Sequence, residues 1–467
     1  MGKLFGTDGI RGVAGEELTA DLAYRLGLSL AQKLRAEKGD KPQVIIGKDT
    51  RLSGDMFEAA LTAGLCAGGT DVLLAGIVPT PAVAYLTANL GADAGVMISA
   101  SHNPSEYNGL KVFGPGGYKL SDETEEELEQ MILGDIPLSP PSREIGRVHD
   151  IRANIKDYIA HIVCVLAEAN PPFGTKKRVL LDLSNGSASA TAKKIFSPEN
   201  MYGWHADFIA YDPDGININL NCGSTQMDSL CELVAKGGYD LGIAFDGDAD
   251  RCLLADERGR LINGDMIIAR LAVEMKKEGK LSGNTVVVTK LTNLGFHLAA
   301  KRYGFSVAVT DVGDRYVLEE MLRGGYALGG EQSGHIILSG YATTGDGQLT
   351  AAKVLSLLAK YPEMSASELF SVMQPLPQVS VNVPVPASMA PDEKKRLISA
   401  APVAECAKKV TDALGESGRL VLRPSGTEAV IRIMLEGENE GELSTYAEEL
   451  KYAILRAVSE TEAGDTA

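Results

Sequence analysis

The sequence predicts an α/β protein of several domains, closed by a smaller C-terminal unit, and three observations carry that expectation. Short apolar runs recur at Val44-Ile45-Ile46, Val179-Leu180-Leu181 and Val286-Val287-Val288, each followed by turn-forming or polar residues and then a helical pattern. This alternation extends to about residue 360 and is the punctuation of helices packed on mixed or parallel sheets. After Gln374-Pro375-Leu376-Pro377-Gln378 the pattern changes, and alternating Val379, Val381, Val383 and Val385 read as an extended segment. Length supplies the third observation. A chain of 467 residues exceeds one ordinary hydrophobic core, at roughly 100–200 residues per domain.

Boundaries follow from breaks in these patterns. Pro137-Leu138-Ser139-Pro140-Pro141 cannot continue a helix, and Pro171-Pro172 is a second break, so the first unit is expected to span residues 1–150. The strand after Arg251 closes a second unit at 151–255, a third follows at 256–369, and the C-terminal unit occupies 370–467.

Composition excludes several classes of function. The 45% hydrophobic and 23% charged content is globular, and no apolar run approaches the ~20 residues that span a bilayer. A basic stretch followed by an apolar core is missing from Met1 to Arg11, so a cytoplasmic protein without a secretory signal is expected. Six scattered cysteines without CxxC pairs predict reduced thiols. The net charge of −17 disfavours nucleic acid, and a membrane partner is equally unexpected. An anionic small molecule would need local cations and backbone donors.

Four segments offer chemistry. In Ile98-Ser99-Ala100-Ser101-His102-Asn103-Pro104, a serine among small residues can stand on an exposed turn and carry a phosphoryl group. Taken alone, the segment is an ordinary turn. A hydrolase triad is not expected, because G-x-S-x-G is absent and adjacent side chains on an extended turn point apart. Asp246-Gly247-Asp248-Ala249-Asp250-Arg251 offers a hard cation three carboxylates, expected on one side of an extended segment. A calcium loop would place Glu257 at its twelfth position, but it needs glycine where Arg251 stands. Gly329-Gly330-Glu331-Gln332-Ser333-Gly334-His335 can hydrogen-bond sugar hydroxyls or an amino group. Arg423-Pro424-Ser425-Gly426-Thr427-Glu428, with Arg432 beyond, can cradle a phosphate, although it lacks the Walker A spacing. Near the N-terminus, Gly6-Thr7-Asp8-Gly9-Ile10-Arg11-Gly12 adds a tight turn with Arg11 available to an anion.

Assembled in this order, these segments resemble the α-D-phosphohexomutase family over essentially the whole chain. The resemblance implies three α/β domains and a smaller α+β domain arranged around a central cleft, each giving one loop. It further implies an isomerase in which Ser101 is the phosphorylated serine and Asp246, Asp248 and Asp250 hold one Mg²⁺, with the seryl phosphate completing the metal's shell. Arg11, Lys111 and Arg251 would surround the transferring group, with Lys111 or His102 moving protons. Glu331, Ser333 and His335 would read the sugar, while Arg423, Ser425, Gly426, Thr427 and Arg432 would hold the non-reacting phosphate. Gln332, the Asn217-Ile218-Asn219-Leu220-Asn221-Cys222-Gly223-Ser224-Thr225 stretch and Val312-Gly313-Asp314-Arg315-Tyr316 resemble the branch that interconverts glucosamine 6-phosphate and glucosamine 1-phosphate through a bisphosphate. Gln226 and Ala429 depart from that branch, and neutral mannose or glucose phosphates are the alternative substrates. A sugar bisphosphate would serve as activator. A phosphatase or a catalytically silent binding protein are the rival readings.

Overall fold

The computed structural model describes residues 4–6, 8–38, 41–134, 144–168, 177–201, 203–386, 389–425 and 429–465. The proline breaks at 137–141 and 171–172 lie outside these residues, as does Thr7. Two compact units emerge, one formed by Met1–Thr292 with Tyr303–Val372, the other by Asn293–Arg302 with Met373–Ala467.

Three mixed sheets belong to the first unit. The first contains β1 (Ile10–Val13), β2 (Gln43–Lys48), β3 (Asp71–Ile77), β4 (Ala94–Ile98), β5 (Tyr107–Phe113) and β6 (Val148–Asp150), in the order β1-β5-β4-β2-β3-β6. The second contains β7 (Lys177–Asp182), β8 (Trp204–Ile209), β9 (Leu241–Phe245), β10 (Cys252–Asp256) and β11 (Leu261–Ile262), in the order β11-β10-β9-β7-β8. The third contains β12 (Thr285–Thr289), β13 (Ser306–Thr310), β14 (Leu328–Gly330) and β15 (Ile336–Leu338), in the order β13-β12-β14-β15. Val44, Ile45, Ile46, Val286, Val287 and Val288 are fully buried, which is why their strands read as unbroken apolar runs.

One arrangement recurs in all three sheets. A strand pairs in parallel with an earlier strand on one side and antiparallel with the next strand on the other. These are β4 between β2 and β5, β9 between β7 and β10, and β14 between β12 and β15. Ser101, the Asp246–Asp250 segment and Glu331 all lie in the connection that leaves the C-terminal end of such a strand. Carboxyl ends of strands at a change of direction are where open α/β sheets place ligands. The boundary expected at 255/256 falls inside the second sheet, because β10 turns back through Gly259 to pair with β11.

In the second unit β16 (Gln378–Pro384), β17 (Arg419–Pro424) and β18 (Val430–Glu436) form an antiparallel sheet in the order β16-β18-β17. Val383, Ile431, Ile433 and Leu435 pack with Val403, Val410 and Leu450 from its helices. Three mixed α/β sheets and one smaller α+β unit constitute the expected fold class. Among the described residues no helix is long and apolar enough to cross a membrane.

Helix Ile155–Ala167 is tied to helix Gly347–Lys360 by a buried polar contact. Asp346 caps the latter helix, accepting the Leu349 N–H at 2.9 Å, and the Tyr158 hydroxyl donates to both its oxygens at 3.0 Å. Burial outweighs these donors and pushes the carboxyl pKa up to about 7. An unfolded aspartate titrates near ~4, so between those values the folded chain binds the extra proton. This group's contribution is therefore full below about pH 4 and is lost as pH rises through about 7. Melting curves across that window are expected to fall more steeply with pH for the native chain than for Asp346→Asn. Equal slopes would show that the carboxyl titrates normally.

Candidate active site

β4 runs directly into Ser99-Ala100-Ser101, and the Ser101 side chain is buried, not exposed on a turn as its small neighbours suggest. Its backbone is left-handed, with φ at 54°. The hydroxyl donates to Asp246 Oδ2 at 2.6 Å and lies 3.3 Å from His102 Nδ1. Adjacent side chains would point apart on an extended turn, but the left-handed residue brings these two together. Burial, with Arg251 and Arg11 nearby, pushes the His102 pKa down to about 4.

The acidic segment is also a turn where an extended segment is expected. β9 ends at Phe245, Ala249 adopts φ 56°, and its N–H reaches the Asp246 carbonyl at 3.0 Å. Curling, not strand alternation, gathers Asp246, Asp248 and Asp250, and one carboxylate oxygen from each lies within 4.8 Å of the others. Gly247 is required by close approach, since a Cβ there would come within 2.6 Å of the Ser101 carbonyl oxygen. Glu257 is engaged elsewhere, accepting the Ser367 N–H at 3.0 Å and hydroxyl at 2.5 Å.

Cations converge on this triad. Lys111, on β5, places Nζ 2.8 Å from Asp248, 3.0 Å from Asp8 and 3.5 Å from Asp250. Burial disfavours its charge, but Asp248, Asp8 and Asp250 outweigh burial and raise its pKa above the ordinary lysine value. Burial pushes Asp250 up, and Lys111, His335 and Arg251 override it to hold that carboxyl well below its usual range. Asp246 goes the other way, raised by burial and by Asp250 and Asp248. Arg251 Nε lies 4.0 Å from Asp246 and 3.9 Å from Asp250. Arg11 pairs with Asp8. Asp248 Oδ1 and Asp250 Oδ1 are buried and accept no hydrogen bond, which leaves two hard oxygens with capacity for a cation. The donor set fits an oxygen-liganded divalent ion.

The β14 loop meets the same region. His335 Nδ1 lies 3.5 Å from Asp250, and Nε2 lies 3.5 Å from Asp314. Glu331 Oε1 accepts the Gly313 N–H at 3.2 Å, while the Ser333 hydroxyl is buried without a hydrogen bond. In the second unit, Arg423 and Arg432 are directly paired across β17 and β18. Burial and then the Arg432 charge lower the Arg423 pKa, a pairing of like charges suited to an anion. The Ser425 N–H donates to the Val430 carbonyl at 3.0 Å, and Gly426 and Thr427 lie outside the described residues.

Several participants escape a reading of motifs. Lys119 bridges Asp8, at 2.6 Å, and Asp314. Thr80, opening helix Thr80–Leu90, donates to Asp248 through its hydroxyl at 2.5 Å and its N–H at 2.9 Å. Asp49 and Arg51, following β2, form a buried pair at 2.9 Å beneath Ser99. Their one sequence signal is charge immediately after an apolar strand, in Lys48-Asp49-Thr50-Arg51.

Family models match nearly the whole chain. The phosphoglucomutase/phosphomannomutase models cover residues 2–136 (alpha/beta/alpha domain I), 156–259 (domain II), 263–376 (domain III) and 381–452 (C-terminal domain). The chain belongs to this family. A relative from Clostridium botulinum (strain Eklund 17B / Type B), named phosphoglucosamine mutase, is 47% identical over 462 residues, covering 98% of this chain and all of the relative. Among solved structures, a family protein from Burkholderia thailandensis superposes with a TM-score of 0.79 at 23% identity, covering 97% of each chain. Aspergillus fumigatus N-acetylphosphoglucosamine mutase, solved in complex with GlcNAc-6P and magnesium, gives a TM-score of 0.70 at 18% identity, covering 97% of this chain and 96% of that one. At these identities the family structures support the fold.

Asp248→Asn and Asp250→Asn are each expected to weaken binding of a divalent cation at least about tenfold. Calorimetric titration with Mg²⁺ measures this directly, and native affinity in both variants would place the cation elsewhere.

Proposed function

We propose that this chain interconverts glucosamine 6-phosphate and glucosamine 1-phosphate through a phosphorylated Ser101 and a sugar bisphosphate, as a cytoplasmic isomerase. The observation that carries the reading is the 2.6 Å contact between the Ser101 hydroxyl and Asp246, made inside a carboxylate triad borne on a different sheet. A serine in that position is a depot for a phosphoryl group beside a cation. The full-length likeness to relatives named phosphoglucosamine mutase supports the choice of sugar.

Asp246, Asp248, Asp250 and the seryl phosphate would hold one Mg²⁺, which when bound supplies neutralising charge at the phosphoryl oxygens. Ser101 gives its phosphoryl group to the free hydroxyl of the sugar monophosphate, breaking the P–Oγ bond and forming the new ester. It then accepts the other phosphate of the resulting bisphosphate. Lys111, Arg11 and Arg251 face the group in transit and stabilise its charge. The carboxylates around Lys111 keep it protonated, so of the two proton carriers expected, His102 is the one that accepts the hydroxyl proton. Glu331, Ser333 and His335 orient the sugar. Arg423, Ser425, Gly426, Thr427 and Arg432 retain the phosphate that does not react, with the paired guanidinium groups suited to its oxygens. A sugar bisphosphate charges Ser101 at the outset.

Intact-mass analysis and peptide mapping after treatment with glucose 1,6-bisphosphate are expected to find one phosphoryl group on Ser101, absent from Ser101→Ala, which should also lose mutase turnover. No phosphate on the native serine would overturn the mechanism. Coupled assays are expected to give a kcat/KM for glucosamine phosphate at least about tenfold above that for glucose or mannose phosphate. The reverse order would reassign the sugar while leaving the chemistry intact. Arg423→Ala is expected to raise KM about tenfold or more with a smaller change in kcat.

A further inference from the structure

Both peptide groups flanking Ser101 are fixed by side chains that touch no reacting atom. On the N-terminal side, the Ser101 N–H donates to Ser99 Oγ at 2.9 Å, and that hydroxyl donates to Asp49 Oδ2 at 2.6 Å. Arg51 Nε holds the same Asp49 oxygen at 2.9 Å. On the C-terminal side, the Ser101 carbonyl accepts from Arg51 at 2.9 Å and from Asn219 Nδ2 at 2.9 Å. The Asn103 carbonyl accepts from the same two groups, at 2.8 and 3.1 Å. Two carbonyl dipoles thus converge on two nitrogens, one from the first sheet's β2 loop and the other from the 210–226 segment after β8.

Asparagine suits position 219 for two independent reasons. Its backbone is left-handed, at φ 59°, a conformation asparagine tolerates better than most residues. Its amide nitrogen carries two protons, one for each carbonyl. Aspartate would keep the shape but turn a donor into a charge facing two carbonyl oxygens. The position is rigid from its own side as well, since the Asn219 N–H donates to the Ser184 carbonyl at 2.9 Å. Left-handed Ser101 is otherwise a strained conformation for a residue with a side chain, and such strain persists only where surrounding contacts over-determine it.

We propose that Asn219 is a positioning residue for phosphoryl transfer, acting with Arg51 to lock the Ser101 and Asn103 carbonyls so that the Ser101 hydroxyl is held against Asp246. The role rests on the mutase reading for its kinetic consequence but not for its structural one. Holding the serine leaves sugar binding to other residues, so loss of the clamp acts on turnover and not on affinity.

The test uses the full chain with two variants. Asn219→Gly keeps the left-handed backbone and removes the donor, and Asn219→Asp keeps the shape and reverses its polarity. Both are expected to lower kcat about 10- to 100-fold, with KM within about threefold of native and an unchanged melting temperature. Amide exchange across residues 100–107 is expected to quicken in both variants whatever reaction Ser101 performs. Native kcat with native exchange would overturn the inference, as would a kcat loss that tracks a lowered melting temperature. If exchange quickens while the native enzyme never acquires phosphate on Ser101, the clamp stands and the mutase reading falls.

Discussion

Asp8, Asp246, Asp248, Asp250 and Asp314 converge with Lys111, Lys119, Arg11, Arg251 and His335 in one region where the carboxylates of the triad are almost entirely removed from water. Separated charges in such a place would cost several kcal/mol each, so every acid there must find a cation and every cation an acid. The arrangement is consequently a jigsaw of sign as much as of shape. Lys119 ties the N-terminal turn to the residue opening helix Asp314–Gly324, and Lys111 ties that turn to the Asp246–Asp250 loop. Asp248 Oδ1 and Asp250 Oδ1 accept no hydrogen bond, although Arg251 Nε lies 3.9 Å from the latter, and the pairing of signs around them is how a chain of net charge −17 can concentrate acids and still fold.

The backbone supports this chemistry by repetition. In three sheets a short connection leaves the C-terminal end of a strand flanked by one parallel and one antiparallel neighbour, and each connection carries a different task. The serine follows β4, the carboxylates follow β9, and the Glu331–His335 segment follows β14. Contacts between the connections, such as Ser101 to Asp246 and His335 to Asp250, convert separate hairpins into one constellation.

Much of this arrangement is legible in the sequence. Val44–Ile46, Val179–Leu181 and Val286–Val288 announced buried strands because burial on both faces leaves no place for polar alternation. Ser101 alone reads as an ordinary turn residue and gains meaning from the Asp246–Asp250 triad, whose closely spaced carboxylates repel one another unless a cation joins them. Strand order did not emerge, since periodicity reports which residues are buried and not which strand lies alongside. The turn conformations of Ser101 and Ala249 were missed for a related reason, as positive φ at a residue with a side chain is imposed by tertiary contacts. The contacts of Arg51, Lys119 and Asn219 escape because their partners are distant in sequence. Charge after an apolar strand marks Arg51, and Asn219 lies in a stretch that carries the resemblance, but neither signal says what the side chain holds.

The three repeated connections also bear on how such a molecule can change. Residues 331–335 enter from β14 and leave into β15, two strands fixed by their own ladder. The Gly334 carbonyl, however, accepts the Cys252 N–H at 3.0 Å and His335 lies 3.5 Å from Asp250, so a change in this segment reaches the carboxylate loop. A hairpin transplanted here from a relative would have to bring a matching neighbour with it, so the two loops are constrained to vary together.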